Sequence, residues 1–164
     1  MSTTELLSCI EKTLVESHVL DVRLLFAQPP EKRLASLTRS LDRLGEGAYL
    51  VGTGPYTVGV YRLSTDECVI GRFPTPGESE SHGVPDVEVR DYVCLAPRET
   101  SRRHARICRC GQGPAVRFYI EDLDSTCGTY VNKRKVETRA GLNDGDVVWV
   151  GPSGINSFVF FTKE

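Results

Sequence analysis

The sequence predicts an all-β fold, a sandwich or barrel, with a short α-helical extension at its N-terminus. From Ala48 onward the chain consists of short β-rich runs bounded by Gly, Pro, Asn and Asp, among them "YTVGVYRL", "ECVIGR", "HARICRC", "VRFYIEDL" and "DVVWVG". No helical window separates these runs, which argues against an alternating α/β architecture and favours packed antiparallel sheets or a closed barrel. Only the region before residue 46 shows helical spacing.

Residues 1–45 form the predicted helical extension. Apolar residues between Leu6 and Leu14 recur at the three- and four-residue spacing of an amphipathic helix. Pro30 suits the first turn of a second helix, which Gly45 would close. Two short helices cannot form a core alone, so their apolar faces must cover the following domain or a second copy of themselves. Self-association through residues 1–45 is therefore one predicted use of this extension.

The composition indicates one domain with a modest extension. The chain has 164 residues, of which 40% are hydrophobic and 26% charged, with a formal net charge of -2. A domain of this size can bury a core without metals or disulfides. No run approaches the roughly 18 apolar residues of a membrane span, so no membrane partner is expected. The N-terminus lacks a basic leader and carries Glu5 and Glu11, which predicts a cytoplasmic protein without a secretory signal.

The six cysteines do not resemble a disulfide framework or a metal site. Without an export signal, the thiols are expected to stay reduced. Only Cys108 and Cys110 are close in sequence, and on a strand they would share one face about 7 Å apart. His82 and Cys94 are not spaced to complete a tetrahedral site with them. The sequence therefore predicts no metal and no cofactor.

The basic residues concentrate in one short stretch, "RETSRRHARI", residues 98–107. Nucleic-acid modules usually show a strong overall basic excess, often with stacking aromatic residues among the basic ones. This chain has neither feature, because it is mildly acidic and no aromatic residue lies between Arg98 and Arg109. Nucleic acid is thus not an expected partner, and the local cluster suits one compact anion.

Three short elements carry the chemistry for such an anion. They are Gly71-Arg72 at the end of an apolar run, Ser101 to His104 before a strand, and Asp124 to Thr129 between two strands. An arginine offers a planar fork of donors that matches phosphate, and serine and threonine hydroxyls add further donors. Glycines let backbone N–H groups approach an anion closely. Together these features are typical of phosphate recognition.

The order of the motifs "CVIGR … SRRHARI … YIEDLDSTCGTYVN … LNDGDVVWVG" closely resembles the forkhead-associated (FHA) domain family. The resemblance covers residues 47–164. It implies an FHA-type eleven-stranded β-sandwich whose loops at one end bind phosphothreonine peptides. The partner it implies is a phosphothreonine-containing protein, such as a serine/threonine kinase or its substrate.

The resemblance also implies the role of each site residue. Arg72 would clamp the phosphate, Ser101 and Arg102 would add contacts to it, and Thr126 would line the pocket for the threonine methyl group. Gly71, His104 and Gly128 would support the site structurally.

Two departures from the family pattern stand out. Cys127 occupies the place of the asparagine that bonds the peptide backbone, and a thiol is a weak hydrogen-bonding group. The segment between Arg72 and Ser101 is also longer than is usual in the family. We therefore expect phosphate contacts to be kept and peptide-backbone contacts to be weakened.

The sequence predicts a non-catalytic phosphothreonine-peptide recognition module that mediates phospho-dependent interactions in signalling. His104 and Cys127 could suggest a base and a nucleophile, but no orienting acid or oxyanion site accompanies them. The alternative is a phospho-independent interaction or dimerisation scaffold with the same fold.

Overall fold

The computed structural model describes residues 29–54, 56–57, 59–73, 83–90 and 99–164. The chain divides into two compact units, residues 1–45 and 46–164. In the first unit, helix α1 (Pro30–Asp42) begins with a proline, as predicted. Its C-cap is Arg43, so the prediction that Gly45 closes the helix is wrong. The helix predicted before Pro30 lies outside the described residues.

The second unit contains eleven described strands, and this number agrees with the predicted sandwich. The strands are β1 (Gly47–Gly52), β2 (Gly59–Arg62), β3 (Glu67–Arg72), β4 (Val87–Val89), β5 (Ala105–Cys110), β6 (Arg117–Asp122), β7 (Thr129–Val131), β8 (Arg134–Lys135), β9 (Arg139–Leu142), β10 (Val147–Val150) and β11 (Ser157–Lys163). A 3-10 turn (Gly113–Ala115) precedes β6.

The strands form two sheets. The first sheet has the order β2-β1-β11-β10-β7-β8, and the second has the order β4-β3-β5-β6-β9. The paired strands run antiparallel, except that β3 and β4 are parallel. Strand β11 lies between β1 and β10, so the last strand occupies an interior position of the first sheet. The predicted two-sheet β-sandwich is confirmed.

The core lies between the sheets and follows the two-residue period of the strands. Leu50, Ile70, Ile120, Val148 and Phe158 are fully buried members of one apolar cluster. Because successive strand residues point to opposite faces, each of these alternates with a residue on an outer face. The rigid core fixes the strand ends, and the strand ends position the loops of the site.

Candidate functional site at one end of the sandwich

The three sequence elements predicted to recognise phosphate meet at one end of the sandwich. Ile70, near the end of β3, is opposite Ala105 at the start of β5, which is opposite Asp122 at the end of β6. Thr129 at the start of β7 is opposite Val150 at the end of β10. We call this the loop end, formed by Arg72 and residues 99–104, 123–128 and 151–156, and the opposite one the far end.

Gly71 is required by the close approach of the second element. A Cβ atom at this position would lie 1.9 Å from the carbonyl oxygen of Arg102, so no other residue fits without moving the backbone. The backbone N–H of Arg72 donates a 3.0 Å hydrogen bond to the carbonyl of Ser101. These two contacts fix residues 101–102 against the end of β3.

Ser101 joins the second element to the third. Its Oγ accepts a hydrogen bond from the backbone N–H of Thr126 at 3.2 Å. A hydroxyl can donate one hydrogen bond and accept two. Among the bonds that the described residues make, the Ser101 hydroxyl only accepts, so its proton is directed to no described acceptor. Thr126 itself is exposed.

His104 ties the two loops together from inside. It is fully buried, and its Nδ1 accepts the backbone N–H of Ser101 at 3.0 Å. Its Nε2 lies 3.0 Å from the carbonyl of Gly128, and because Nδ1 accepts, Nε2 must carry the proton. Burial lowers the pKa of His104 below 6.5, although the Gly128 carbonyl and the Asp122 carboxylate act in the opposite direction. The ring is therefore neutral near pH 7.

Asp122 organises the third element, and the sequence interpretation missed it. Its carboxylate accepts hydrogen bonds from the Ser125 backbone at 2.9 Å, the Ser125 hydroxyl at 2.7 Å and the Thr129 hydroxyl at 2.6 Å. Burial raises the pKa of Asp122, but these hydrogen bonds outweigh it, and the pKa lies below 3.8. Ser125 Oγ then accepts the Gly128 N–H at 2.9 Å. The loop is thus held by a carboxylate that is ionised at neutral pH.

Gly128 closes the loop in a conformation that favours glycine. Its φ is +84°, and a Cβ atom there would lie 2.9 Å from Lys135 Cε. The side chain of Lys135 therefore extends over Gly128, which brings a cation to the loop end that was not among the predicted site residues. The Cys127 carbonyl next to it accepts the Tyr130 hydroxyl at 3.4 Å. The Cys127 residue is half-buried.

Arg72 is more buried than a strand-end arginine is expected to be. Only 6% of its surface is exposed, and Nη1 donates to the carbonyl of Phe73 at 3.5 Å. Arg102 is half-buried and Arg103 is exposed. A buried guanidinium contributes packing as well as charge, so replacing Arg72 should lower the free energy of unfolding as well as remove a donor.

The remaining chemistry of the described residues lies elsewhere. A concavity of about 1170 Å³ at the far end is lined in part by Arg62, Arg109, Asp144 and Lys163, and by none of the predicted site residues. Among the described residues, no three His, Cys, Asp or Glu side chains converge as metal ligands. None of the described helices is both long and apolar enough to cross a membrane.

The class of protein that this fold defines is a two-sheet β-sandwich with hydrogen-bonded loops at one end. The FHA domain family model matches residues 68–151, and the chain belongs to that family. The family consists of interaction modules. No curated protein matches the sequence.

Several solved structures share the fold. An FHA domain studied for phosphothreonine-dependent interactions is 25% identical, with a TM-score of 0.52, and the match covers 71% of this chain and 97% of that one. The FhaA FHA domain, complexed with the intracellular domain of Rv3910, is 25% identical, with a TM-score of 0.51 and coverage of 70% and 99%. Full-length yeast Pml1p is 20% identical, with a TM-score of 0.57 and coverage of 84% and 95%, and shows the fold alone.

Proposed function

We propose that the loop end of this protein binds a phosphothreonine-containing segment of a partner protein, and that the protein acts as a non-catalytic adaptor in phospho-dependent signalling. One observation carries the proposal: hydrogen bonds connect Arg72 to Ser101 and Ser101 to Thr126, so three separate stretches of the chain meet at the loop end. Membership of the FHA family and the phosphothreonine-dependent interactions of one relative support it.

All the predicted site residues except Cys127 have a role in this proposal. The Arg72 guanidinium and the Ser101 hydroxyl proton bind phosphate oxygens, and Arg102 adds positive charge beside them. The exposed Thr126 contacts the threonine side chain of the ligand. Gly71, His104 and Gly128 hold the loops in place, so the donors are ordered before the ligand arrives, which reduces the entropy lost on binding. The partner is a kinase or kinase substrate, and a cytoplasmic location stays a prediction.

The test is titration with matched phosphorylated and unphosphorylated threonine peptides from a library. Charge-assisted contacts to phosphate contribute about 1.5–3 kcal/mol each, so Arg72→Lys, which keeps the charge but loses the planar fork, should weaken phosphopeptide binding about tenfold. The matched control is Arg103→Lys, an exposed neighbour whose replacement should change affinity by less than about twofold. Thermal unfolding of both variants separates lost binding from lost packing. Equal affinity for both peptides would refute the proposal.

A phospho-independent scaffold of the same fold is the second candidate. The observation that favours it is Cys127, because the family places an asparagine there to bond the ligand backbone. Under this alternative, partner capture from cell extract survives phosphatase treatment and survives Arg72→Lys. Loss of capture after phosphatase treatment would reject the scaffold.

A further inference from the structure

The outward face of the first sheet is mostly apolar. The residues on this face are those that alternate with core residues such as Leu50, Val148 and Phe158. The outward positions with apolar or aromatic side chains, which we call the valine face, are Tyr49, Val51, Val60, Tyr130, Val147, Trp149, Val159 and Phe161.

Four valines form a continuous row across the valine face. Val60 is directly opposite Val51, Val51 is opposite Val159, and Val159 is opposite Val147. Directly opposite side chains on neighbouring strands are in contact, so the row extends over four strands. Val60 is 47% exposed at the β2 edge, and the other three are half-buried. Aromatic residues border the row: Phe161, which stacks on the buried Tyr49 with 5.4 Å between ring centres, lies on one side, and Trp149 lies on the other.

The outward face of the second sheet has the opposite character. Arg106 forms ion pairs with Glu67 at 3.3 Å and Glu121 at 2.7 Å across neighbouring strands. Arg139 lies 4.8 Å from the ring centre of Tyr119 on the same face. This is the usual polar surface of an antiparallel sheet that faces solvent. The valine face departs from that pattern, and a contiguous apolar patch of this kind marks an interaction surface.

The charged residues at outward strand positions of the first sheet all have one sign. Among the described outward positions of the first sheet, the charged residues are Arg62, Lys163 and Lys135, and none is acidic. This local excess occurs in a chain whose net charge is -2. A second copy of the face would bring these cations together, which disfavours face-to-face dimers. A ligand with acidic side chains beside an apolar stripe complements both properties.

We propose that the valine face is a second docking surface, which binds an amphipathic helix of a partner protein that carries acidic residues on both flanks of its apolar stripe. A helix presents an apolar stripe about 100° wide, and the valine row with its aromatic borders provides a matching strip. The face is separate from the proposed phosphate contacts and needs no phosphorylation. It adjoins the loop end, because Tyr130 on the face bonds the Cys127 carbonyl. A single partner could therefore contact both surfaces.

The protein contains its own reporter for this surface. Trp149 is its one tryptophan, and it belongs to the valine face. A Cβ atom at Gly154 would lie 3.0 Å from the ring, so the indole packs over that glycine and is half-buried. Tryptophan emission therefore reports the part of the valine face that adjoins the loop end, and the variants at the far side of the face assign an observed shift to the docking surface.

The experiment titrates the full-length protein with two synthetic helical peptides of about 18 residues, or five turns. Both carry the same leucine stripe, one flanked by glutamates and the other by lysines. The glutamate peptide should shift the Trp149 emission to shorter wavelength and bind at least about fivefold more tightly than the lysine peptide, because exposed charge pairs favour only the first.

Matched variants on the two faces assign the site. Val60→Asp, which puts an acid into the valine row, should weaken binding of the glutamate peptide about tenfold or more, whereas Val69→Asp on the outer face of the second sheet should leave it unchanged. Lys163→Glu should weaken it about threefold to fivefold, whereas Arg117→Glu on the second sheet should have little effect. Circular dichroism checks that each variant is folded.

Several outcomes would overturn the proposal. Equal binding of both peptides would show nonspecific apolar association. An emission shift that depends on protein concentration alone, with a dimer in sedimentation, would identify a second copy as the occupant. No response to either peptide would show that the face is not available to a helix.

Discussion

The two ends of the sandwich use polar side chains in opposite ways. All the buried polar residues of the described chain lie at the loop end or at the strand ends beside it: Thr57, Arg72, Thr100, His104, Thr129, Asn156 and Ser157. At the far end, the polar bonds are exposed, as in the turn where Asp144 accepts the backbone N–H of Thr162 at 2.7 Å. The far end is closed by solvated turns, and the loop end is supported from within.

This difference shows how loops can be held in one arrangement by the groups beneath them. A solvated turn can exchange each protein hydrogen bond for one to water, so each contributes only about 0.5–1.5 kcal/mol. A buried donor or acceptor has no such substitute, and leaving it unpaired costs about 1–3 kcal/mol. The loop end is therefore held in one arrangement, because breaking any one of its buried hydrogen bonds leaves a polar group without a partner. That rigidity keeps the proposed phosphate donors in place.

The largest loss of stability is expected from His104→Ala at the loop end. It removes both bonds of the buried ring and leaves the Ser101 N–H and the Gly128 carbonyl unpaired, which should lower the free energy of unfolding by about 3–5 kcal/mol. The far-end control is Asp144→Ala, which also affects two donors, because the Asp144 carboxylate accepts from the backbone N–H and the hydroxyl of Thr162. Its cost should be about 1 kcal/mol. Chemical denaturation measures both, and equal losses would contradict the contrast between the ends.

A smaller loss of stability is expected from Asp122→Asn, also at the loop end. The amide keeps one acceptor oxygen, but its NH2 group would face a donor. In the wild type, both carboxylate oxygens accept hydrogen bonds from such donors. We expect a loss of about 1–3 kcal/mol in stability and weaker phosphopeptide binding, because the loop from Ser125 to Gly128 loses its support. Since the folded pKa lies below 3.8, the wild-type bonds persist above that pH and are lost as the pH falls below it. The variant should lack this acid dependence.

Protonation of His104 should act in the same direction as its replacement, but with a smaller effect, because the ring and its Nε2 bond remain. Its pKa is lowered in the folded state, so the unfolded chain takes up a proton first, near pH 6.5. Stability is therefore complete above that pH and declines as the pH falls from 6.5 toward the folded pKa. Subtracting the unfolding profile of His104→Gln, which keeps His18 and His82, isolates this slope. A flat difference would contradict it.

The smallest expected effect is at Cys127, and it concerns phosphopeptide affinity at the loop end rather than stability. An asparagine amide there could exchange hydrogen bonds with a ligand backbone, each contributing about 0.5–1.5 kcal/mol. Cys127→Asn should tighten phosphopeptide binding about twofold to tenfold, and Cys110→Asn, at an exposed thiol, should not. Isothermal titration of one phosphopeptide measures both. Unchanged or weaker binding of Cys127→Asn would show that the ligand is held in another way.

The sequence was sufficient for the fold and for three of the stretches that form the loop end. Alternating runs predicted β3, β5, β6 and β10, and the motif order predicted that Arg72, Ser101 and Thr126 would meet. The structure places these residues in one connected network, while their binding of phosphate stays a prediction. The structural roles predicted for Gly71 and Gly128 agree with the structure, because any other residue at these positions would clash or be strained.

The sequence interpretation missed what lies beneath the loops. Asp122 points to the same face of its strand as Phe118 and Ile120. Arg72 likewise points to the same face as Cys68 and Ile70. The alternation therefore continues one step beyond the apolar residues and places a charged residue inward at the strand end. That signal was present in the sequence. The partners of such a residue were not, because hydrogen bonds between distant loops depend on how the sheets pack.

The interior position of β11 has a consequence for how the protein is made. Strands β1 and β10 both pair with β11, so without it the first sheet is in two pieces, each with an unpaired edge. The pairing of β1 with β11 joins residues near 50 to residues near 160, and contacts so distant in sequence slow folding to milliseconds or longer. On the ribosome, the sheet cannot close until β11 emerges, and until then the edges of β1 and β10 are open to pairing with other chains or to capture by chaperones.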